Sequence, residues 1–172
     1  MKVHFIAVGG TIMHDLAIVL KERGYEVTGS DDEIFEPSYS KLKSNGLLPE
    51  AMGWHPERIH ASLDAVIVGM HARKDNPELL KAQELGIKTY SFPAFIYQEA
   101  VNKQRIVVAG SHGKTTVTSM ILHVLHYWGK KLDFLVGAMP ANSYVAINGS
   151  NALQRTLKLE EENPYIVLEG DE

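Results

Sequence analysis

The chain has 172 residues, 45% apolar and 22% charged, with a net charge of −4. That is ordinary for one globular domain or two small ones, and it creates no broad basic field toward nucleic acid or an anionic membrane. Cysteine is absent, which excludes disulfides, thiolate metal sites and thiol nucleophiles together.

The apolar run after Met1 lasts only about six residues, too short for a signal-peptide core or a membrane span, and no stretch of ~18 apolar residues follows. Asn148-Gly149-Ser150 matches a glycosylation acceptor but carries no weight without a secretion signal. The expected compartment is the cytoplasm.

Short apolar runs alternate with helical periodicity, the pattern of βα units around a parallel sheet. Val3 to Val8 reads as a buried strand, followed by a helix through Met13, Leu16, Ala17 and Leu20 that stops at Gly24. Glu26 to Gly29 is a second strand. Pro37 opens a short helix through Leu42, and Gly46 ends it. Leu63 to Val68 is a third strand. Asn76-Pro77-Glu78 marks a helix start, with Asn as cap and Pro at the first helical position. Leu79, Leu80 and Leu85 are its expected core residues. Lys88 to Ser91 is a fourth strand, and Pro93 opens another short helix.

The pattern then restarts. Arg105 to Ala109 is a strand and Gly110 to Gly113 a loop, followed by a helix carrying Val117, Met120, Ile121, Val124, Leu125 and Trp128. Leu132 to Val136 and Tyr165 to Leu168 are further strands, with 138–163 hard to assign. The expected fold is α/β, with a Rossmann-like parallel-sheet domain over 1–102 and the first part of a P-loop ATPase α/β domain over 103–172. No closing helix follows the last strand, so the second domain is expected to be incomplete.

The strongest chemical signal is Val107-Val108-Ala109-Gly110-Ser111-His112-Gly113-Lys114-Thr115-Thr116. A strand feeds a glycine loop, and a Lys-Thr pair opens a helix. Glycines let backbone N–H groups approach phosphate oxygens, and the helix N-terminus adds a favourable dipole. Lys114 would reach the β/γ-phosphates and the Thr115 hydroxyl would coordinate Mg²⁺. The general P-loop pattern has glycine where Val108 stands, leaving G-x-x-G-K-T-T. Glu169, with Asp171 and Glu172 beyond it, ends the last strand and reads as a Mg²⁺-holding group in the same domain; a solvated turn is the competing reading.

Gly9-Gly10-Thr11-Ile12-Met13 follows the first strand like a dinucleotide-binding turn, yet Ala7 and Ile12 replace two fingerprint glycines. Ser30-Asp31 ends the second strand, where such folds place a ribose- or phosphate-contacting group. For both, a turn without a ligand remains open. His71-Ala72-Arg73-Lys74 is a local positive cluster that could meet a pyrophosphate or simply be solvated. His123 and His126 share a helix face without an evident third metal ligand.

Taken together and in order, Gly9–Met13, Val27–Asp31, Asp75–Glu78, Ala109–Thr116 and Glu169–Glu172 resemble the Mur ligases, over nearly the whole chain. Within that family the segments look most similar to the branch that joins UDP-N-acetylmuramate to the L-Ala-γ-D-Glu-meso-diaminopimelate tripeptide in cell-wall recycling. The branch that joins it to L-alanine comes next. Phe134-Leu135-Val136-Gly137 with Pro140-Ala141-Asn142 resembles the recycling branch's F-x-x-G-x-x-P-x-N pattern.

The resemblance implies a three-domain enzyme with UDP-sugar, ATP and acceptor domains, ATP and Mg²⁺ as cofactors, and amide formation through an acyl phosphate. It implies ATP contacts at Gly110, Ser111, His112, Gly113, Lys114, Thr115 and Thr116, with Lys114 and Glu169 catalytic and Thr115 and Glu169 on the metal. It also implies UDP-sugar contacts at Gly9, Gly10, Thr11, Ile12, Met13, Ser30, Asp31, His71 and Asn142. Ala7, Ile12 and Asp15 depart from glycines common in the family's first loop, and Ser111 from a common threonine. With the acceptor domain absent, the 172-residue chain alone is expected to form no amide bond, and the sequence leaves its acceptor and oligomeric state open. Competing readings are an NAD-dependent oxidoreductase, which leaves Gly110–Thr116 unexplained, and a non-catalytic nucleotide-binding module.

Overall fold

The computed structural model describes residues 1–137 and 156–170. The chain divides into two compact units, Met1–Gln98 and Glu99–Glu172.

In the first unit, β1 (Lys2–Ile6), β2 (Glu26–Ser30), β3 (Ala65–Val68) and β4 (Thr89–Ser91) form a parallel sheet in the order β2-β1-β3-β4. The order reverses at β1, so the carboxyl ends of β1, β2 and β3 open onto a crevice of the kind in which doubly wound sheets bind ligands. Central β1 is buried on both faces, with His4 the one polar side chain among its buried residues. Val3, Phe5 and Ile6 are wholly buried.

Helix α1 (Thr11–Glu22) follows β1 and is buried from Met13 to Leu20. Helix α2 (Ser38–Ser44) packs beside it through Leu42. Helix α3 (Pro77–Glu84) starts as its sequence requires: Asn76 Oδ1 accepts from the N–H groups of Glu78 and Leu79 at 2.9 and 3.2 Å. Its inward stripe differs from the expected leucines. Ala82 and Glu78 are buried and Leu79 partly so, whereas Leu80 and Leu85 are exposed. The rotation brings Glu78 over the sheet, where buried polar partners hold it. Helix α4 (Phe92–Glu99) closes the unit with Phe92, Phe95 and Ile96 inward.

In the second unit, β5 (Gln104–Val108), β6 (Leu132–Leu135), β7 (Leu157–Lys158) and β8 (Tyr165–Glu169) form a sheet in the order β5-β8-β6-β7. β5, β8 and β6 are parallel, and β7, which lies in the stretch the sequence left unassigned, runs antiparallel to β6. Helix α5 (Lys114–Tyr127) covers the sheet with Leu122 and partly buried Ile121 and Leu125. Val117, Met120, Val124 and Trp128, expected on the same apolar helix, form a separate exposed stripe. A 14-residue helix has room for two stripes, and only one meets this sheet.

Beneath the sheet, Asp133 is fully buried and paired with Lys103 Nζ at 2.7 Å. Its other oxygen accepts from Glu160 N at 2.9 Å and Asn163 Nδ2 at 2.6 Å. These bonds tie the entry of β5 to the entry of β8, which fixes where both strands end.

Candidate functional site

In the second unit, β5 delivers the chain to a loop whose glycines have left-handed backbones, Gly110 at φ 147° and Gly113 at φ 74°. A side chain there would cost ~1–2 kcal/mol per residue. Gly113 caps α5, which has no side-chain cap and no acidic residue in its first turn. The N–H groups at the start of the helix are therefore left uncapped by its own side chains, where the helix dipole favours an anion. Ser111 and His112 are exposed, and neither N–H donates to another group of the described residues.

At the head of α5 the Thr115 hydroxyl donates to Glu169 Oε1 at 2.7 Å. Glu169 ends β8 beside Val108, and its Oε2 accepts from Gly137 N at 2.8 Å. One carboxylate thus gathers the helix start and the turn after β6. A Cβ on Gly137 would sit 3.4 Å from that carboxyl carbon. Sequence reasoning picked Thr115 and Glu169 but gave Gly137 no site role; the F-x-x-G motif was its signal. Lys114 and Thr115 are half-buried and Thr116 is exposed.

In the first unit, Ala7 sits at φ 63° in the turn after β1, the backbone that explains why fingerprint turns place glycine there. Gly9 N donates to Asp31 Oδ2 at 2.7 Å, and Asp32 N to Asp31 Oδ1 at 3.0 Å. Burial pushes the Asp31 carboxyl up to about 6, with the charge of Asp32 adding to it and the Gly9 bond opposing it. A Cβ on Gly9 would lie 2.9 Å from Asp31 Oδ2. Helix α1 begins at Thr11 with Gly10 as cap and no side-chain cap bond, so this second helix N-terminus also lies open.

The other first-unit candidates separate by geometry. Thr11 is exposed and Ile12 half-buried, whereas the Met13 side chain is in the core, leaving only its backbone to face the turn. Ser30 is wholly buried and its hydroxyl donates to Glu78 Oε2. That same oxygen lies 3.3 Å from His4 Nε2, and His4 Nδ1 is 2.8 Å from Thr28 Oγ1. The Ser30 hydroxyl is thereby part of an internal network and does not face the crevice. Burial raises the Glu78 carboxyl, but bonds from His4, Ser30 and the His55 N–H outweigh it and leave it low. His71 is exposed. Arg73 is forked onto Asp75 at 3.1 and 3.3 Å, which neutralises part of the positive cluster expected there. Asn142, with Pro140 and Ala141, and likewise Asp171 and Glu172, lie outside the described residues.

Sequence reasoning missed the segment Gly53–His55. Gly53 N donates to the Asp31 carbonyl at 2.7 Å, and His55 N to Glu78 Oε1 at 2.6 Å. These bonds bring the segment to the end of β2 beside Asp31. Among the described residues no three His, Asp or Glu side chains gather into a metal cluster, so His123 and His126 gain no third partner. No helix among them is long and apolar enough to cross a membrane.

A model of the Mur ligase family, catalytic domain, matches residues 2–104 of this chain. The chain belongs to the Mur ligase family. It is 40% identical to the UDP-N-acetylmuramate–L-alanine ligase of Carboxydothermus hydrogenoformans, over 75% of this chain and 27% of that relative. It is 29% identical to the UDP-N-acetylmuramate–L-alanyl-γ-D-glutamyl-meso-2,6-diaminoheptandioate ligase of Escherichia coli K12, over 100% of this chain and 35% of that one. The crystal structure of a murein peptide ligase from Psychrobacter arcticus superposes with a TM-score of 0.82 at 29% identity, covering 99% of this chain and 38% of that chain. This Mur ligase chain therefore spans about a third of the length of the curated relatives it matches. The family model ends at residue 104, ahead of the Gly110–Thr116 loop, while the Escherichia coli alignment runs on through that loop.

Proposed function

We propose that this chain carries the UDP-sugar-binding region (1–102) and the first part of the ATP-binding region (103–172) of an ATP-dependent amide ligase. Its donor is UDP-N-acetylmuramate and its acceptor the L-Ala-γ-D-Glu-meso-diaminopimelate tripeptide. The observation that carries this reading is the Thr115–Glu169 pair at the mouth of a glycine loop and an uncapped helix.

A hydroxyl and a carboxylate are the hard oxygen donors that Mg²⁺ takes. Their 2.7 Å separation is close to the roughly 2.9 Å between neighbouring oxygens at ~2.0–2.1 Å from the ion. Thr115 and Glu169 would hold the cation, which when bound would offset the negative charge of carboxylate and phosphate as they meet. The N–H groups of Ser111, His112 and Gly113, together with Lys114, would hold the phosphates. Such a transfer is driven by positioning and charge stabilisation and needs no protein nucleophile. The sugar's carboxylate would take the γ-phosphoryl group of ATP, and the acceptor amine would then displace phosphate from the acyl phosphate.

In the first unit, the open N–H groups at Gly10–Met13 would meet the pyrophosphate. Asp31 would hold the turn in shape through Gly9 while lying near the nucleotide, and His71, which is exposed, would contact the sugar nucleotide from the segment after β3.

The 0.82 superposition on a murein peptide ligase supports the tripeptide as acceptor, whereas coverage of the whole chain is shared by relatives of both kinds. The 40% identity to an L-alanine ligase supports L-alanine as the alternative. The test is UDP-N-acetylmuramate-dependent phosphate release by a polypeptide of the relatives' full length, with both acceptors side by side. Preference for the tripeptide supports the proposal, preference for L-alanine moves it to the alternative, and release with neither overturns both.

A further inference from the structure

A second candidate site lies along the outer edge of β2, on the strand's amino half. In the ladder with β1, Glu26 N donates to the Met1 carbonyl and the Ser30 carbonyl accepts from Val8 N. Because strand backbone groups alternate in direction, residues 26, 28 and 30 face β1 and residues 27, 29 and 31 face outward. The Asp31 carbonyl is taken by Gly53 N. Among the described residues, the outward N–H and C=O groups of Val27 and Gly29 have no backbone partner. An unpaired strand edge is a ready template for a further extended chain.

Those groups line a cavity of about 360 Å³, walled by Leu47, Leu48 and Leu63, with the Arg58 side chain at its lining. The volume lies toward the lower end of the range for small-ligand pockets, ~300–1,000 Å³. Arg58 is half-buried, and no hydrogen bond or ion pair of its guanidinium forms among the described residues. Lys2 and Glu26, also at the cavity, neutralise one another at 3.0 Å. The lining also carries Glu50 and His60, both exposed, and Glu57 lies within the field of Arg58. Arg58 is the half-buried cation of the lining, and its planar fork suits a carboxylate.

We propose that this cavity takes a short extended peptide ending in a free carboxylate. The peptide would add to the edge of β2 through Val27 and Gly29, and its terminal carboxylate would pair with Arg58. Apolar side chains on its inward face would meet Leu47, Leu48 and Leu63. The inference does not depend on the ligase reading, since it uses none of the residues assigned to the nucleotide or the sugar.

The test is titration of the full chain, by calorimetry and amide NMR, with N-acetyl-Ser-Val-Ser carrying a free carboxylate and with its C-terminal amide. The acid should bind at about 1 mM or tighter, and the amide about tenfold more weakly. Arg58→Gln should weaken the acid to the level of the amide while leaving the amide unchanged. Hydrogen exchange at the Val27 and Gly29 amides should slow with the acid. Absence of binding, equal binding of acid and amide, or shifts centred on Gly9–Met13 instead of Val27 and Gly29 would each overturn the proposal.

Discussion

The carboxylate of Asp31 holds the N–H of Gly9 at 2.7 Å across the carboxyl ends of two neighbouring strands. Twenty-two residues apart in the chain, the two meet because β1 and β2 are parallel and in register. The bond sets the entry of α1, so the Asp31 charge state reaches both stability and ligand contact.

Burial raises the Asp31 carboxyl from 3.8 to about 6. The folded chain then keeps a proton that the unfolded chain releases near 3.8, so between pH 4 and 6 the native state binds more protons. On this group's account stability falls as pH rises across that window and is flat above it. Urea denaturation of wild type and Asp31→Asn at pH 4 to 8 should show the fall only in wild type. If the Gly10–Met13 turn holds UDP, its affinity should also weaken as pH rises through 6, because the ionised carboxylate repels phosphate.

Gly9 and Gly10 should respond differently to alanine. At Gly9 a Cβ meets Asp31 Oδ2 at 2.9 Å and Ile34 at 3.1 Å, so Gly9→Ala should cost about 1–3 kcal/mol in denaturation. At Gly10 the nearest atom is Met13 Cγ at 3.4 Å and φ is −58°, so Gly10→Ala should change stability by less than about 0.5 kcal/mol. The proposed pyrophosphate contact still predicts that Gly10→Ala weakens UDP binding by about tenfold. An unchanged affinity would count against that contact.

Ala7 holds a left-handed backbone at φ 63°. Ala7→Gly relieves about 1–2 kcal/mol of strain and returns part of it as chain entropy. The expected net is a gain of up to about 1 kcal/mol, read from the urea midpoint; a loss of stability would show that the packing of the buried Ala7 methyl outweighs the strain.

Glu78 is wholly buried among His4, Ser30 and the His55 N–H. Glu78→Ala strands these partners and should cost about 3–5 kcal/mol, and Glu78→Gln less. Because its carboxyl is held low, its contribution is present above the unfolded carboxylate range and is lost as pH falls through the folded value. The acid limb of the stability profile should therefore flatten in Glu78→Gln.

Lys114→Ala and Glu169→Gln, made in a full-length polypeptide, should each lower acceptor-dependent phosphate release by at least ~100-fold. Glu169→Gln should also raise the Mg²⁺ concentration needed for half-maximal rate. Wild-type rates in either variant would sink the assignment of the Thr115–Glu169 pair.

Much of this was legible in the residues in order. Asn76-Pro77 announced α3, and Gly110–Thr116 announced a strand, loop and helix, because caps and glycine turns act within a few residues. Leu80 misled for the opposite reason: helical spacing names stripes without saying which one a sheet will meet, and α3 turned Ala82 and Glu78 inward. Ser30 was rightly placed at the end of β2, yet its hydroxyl went to a carboxylate 48 residues away. Gly53–His55 carried no local signature, since its role depends on lying against Asp31.

By itself, then, the order of residues determined the α/β alternation, the two glycine turns and the family, all of which rest on local periodicity and backbone constraint. Tertiary structure decided the remaining partners. Glu169 gathers Gly137 to the Thr115 that sequence had already coupled to it, Asp31 clamps Gly9, and His4 buries itself against Glu78, because parallel strands bring distant segments to one edge. Hydrogen bonds a few ångströms long then choose among neighbours that sequence spacing does not rank.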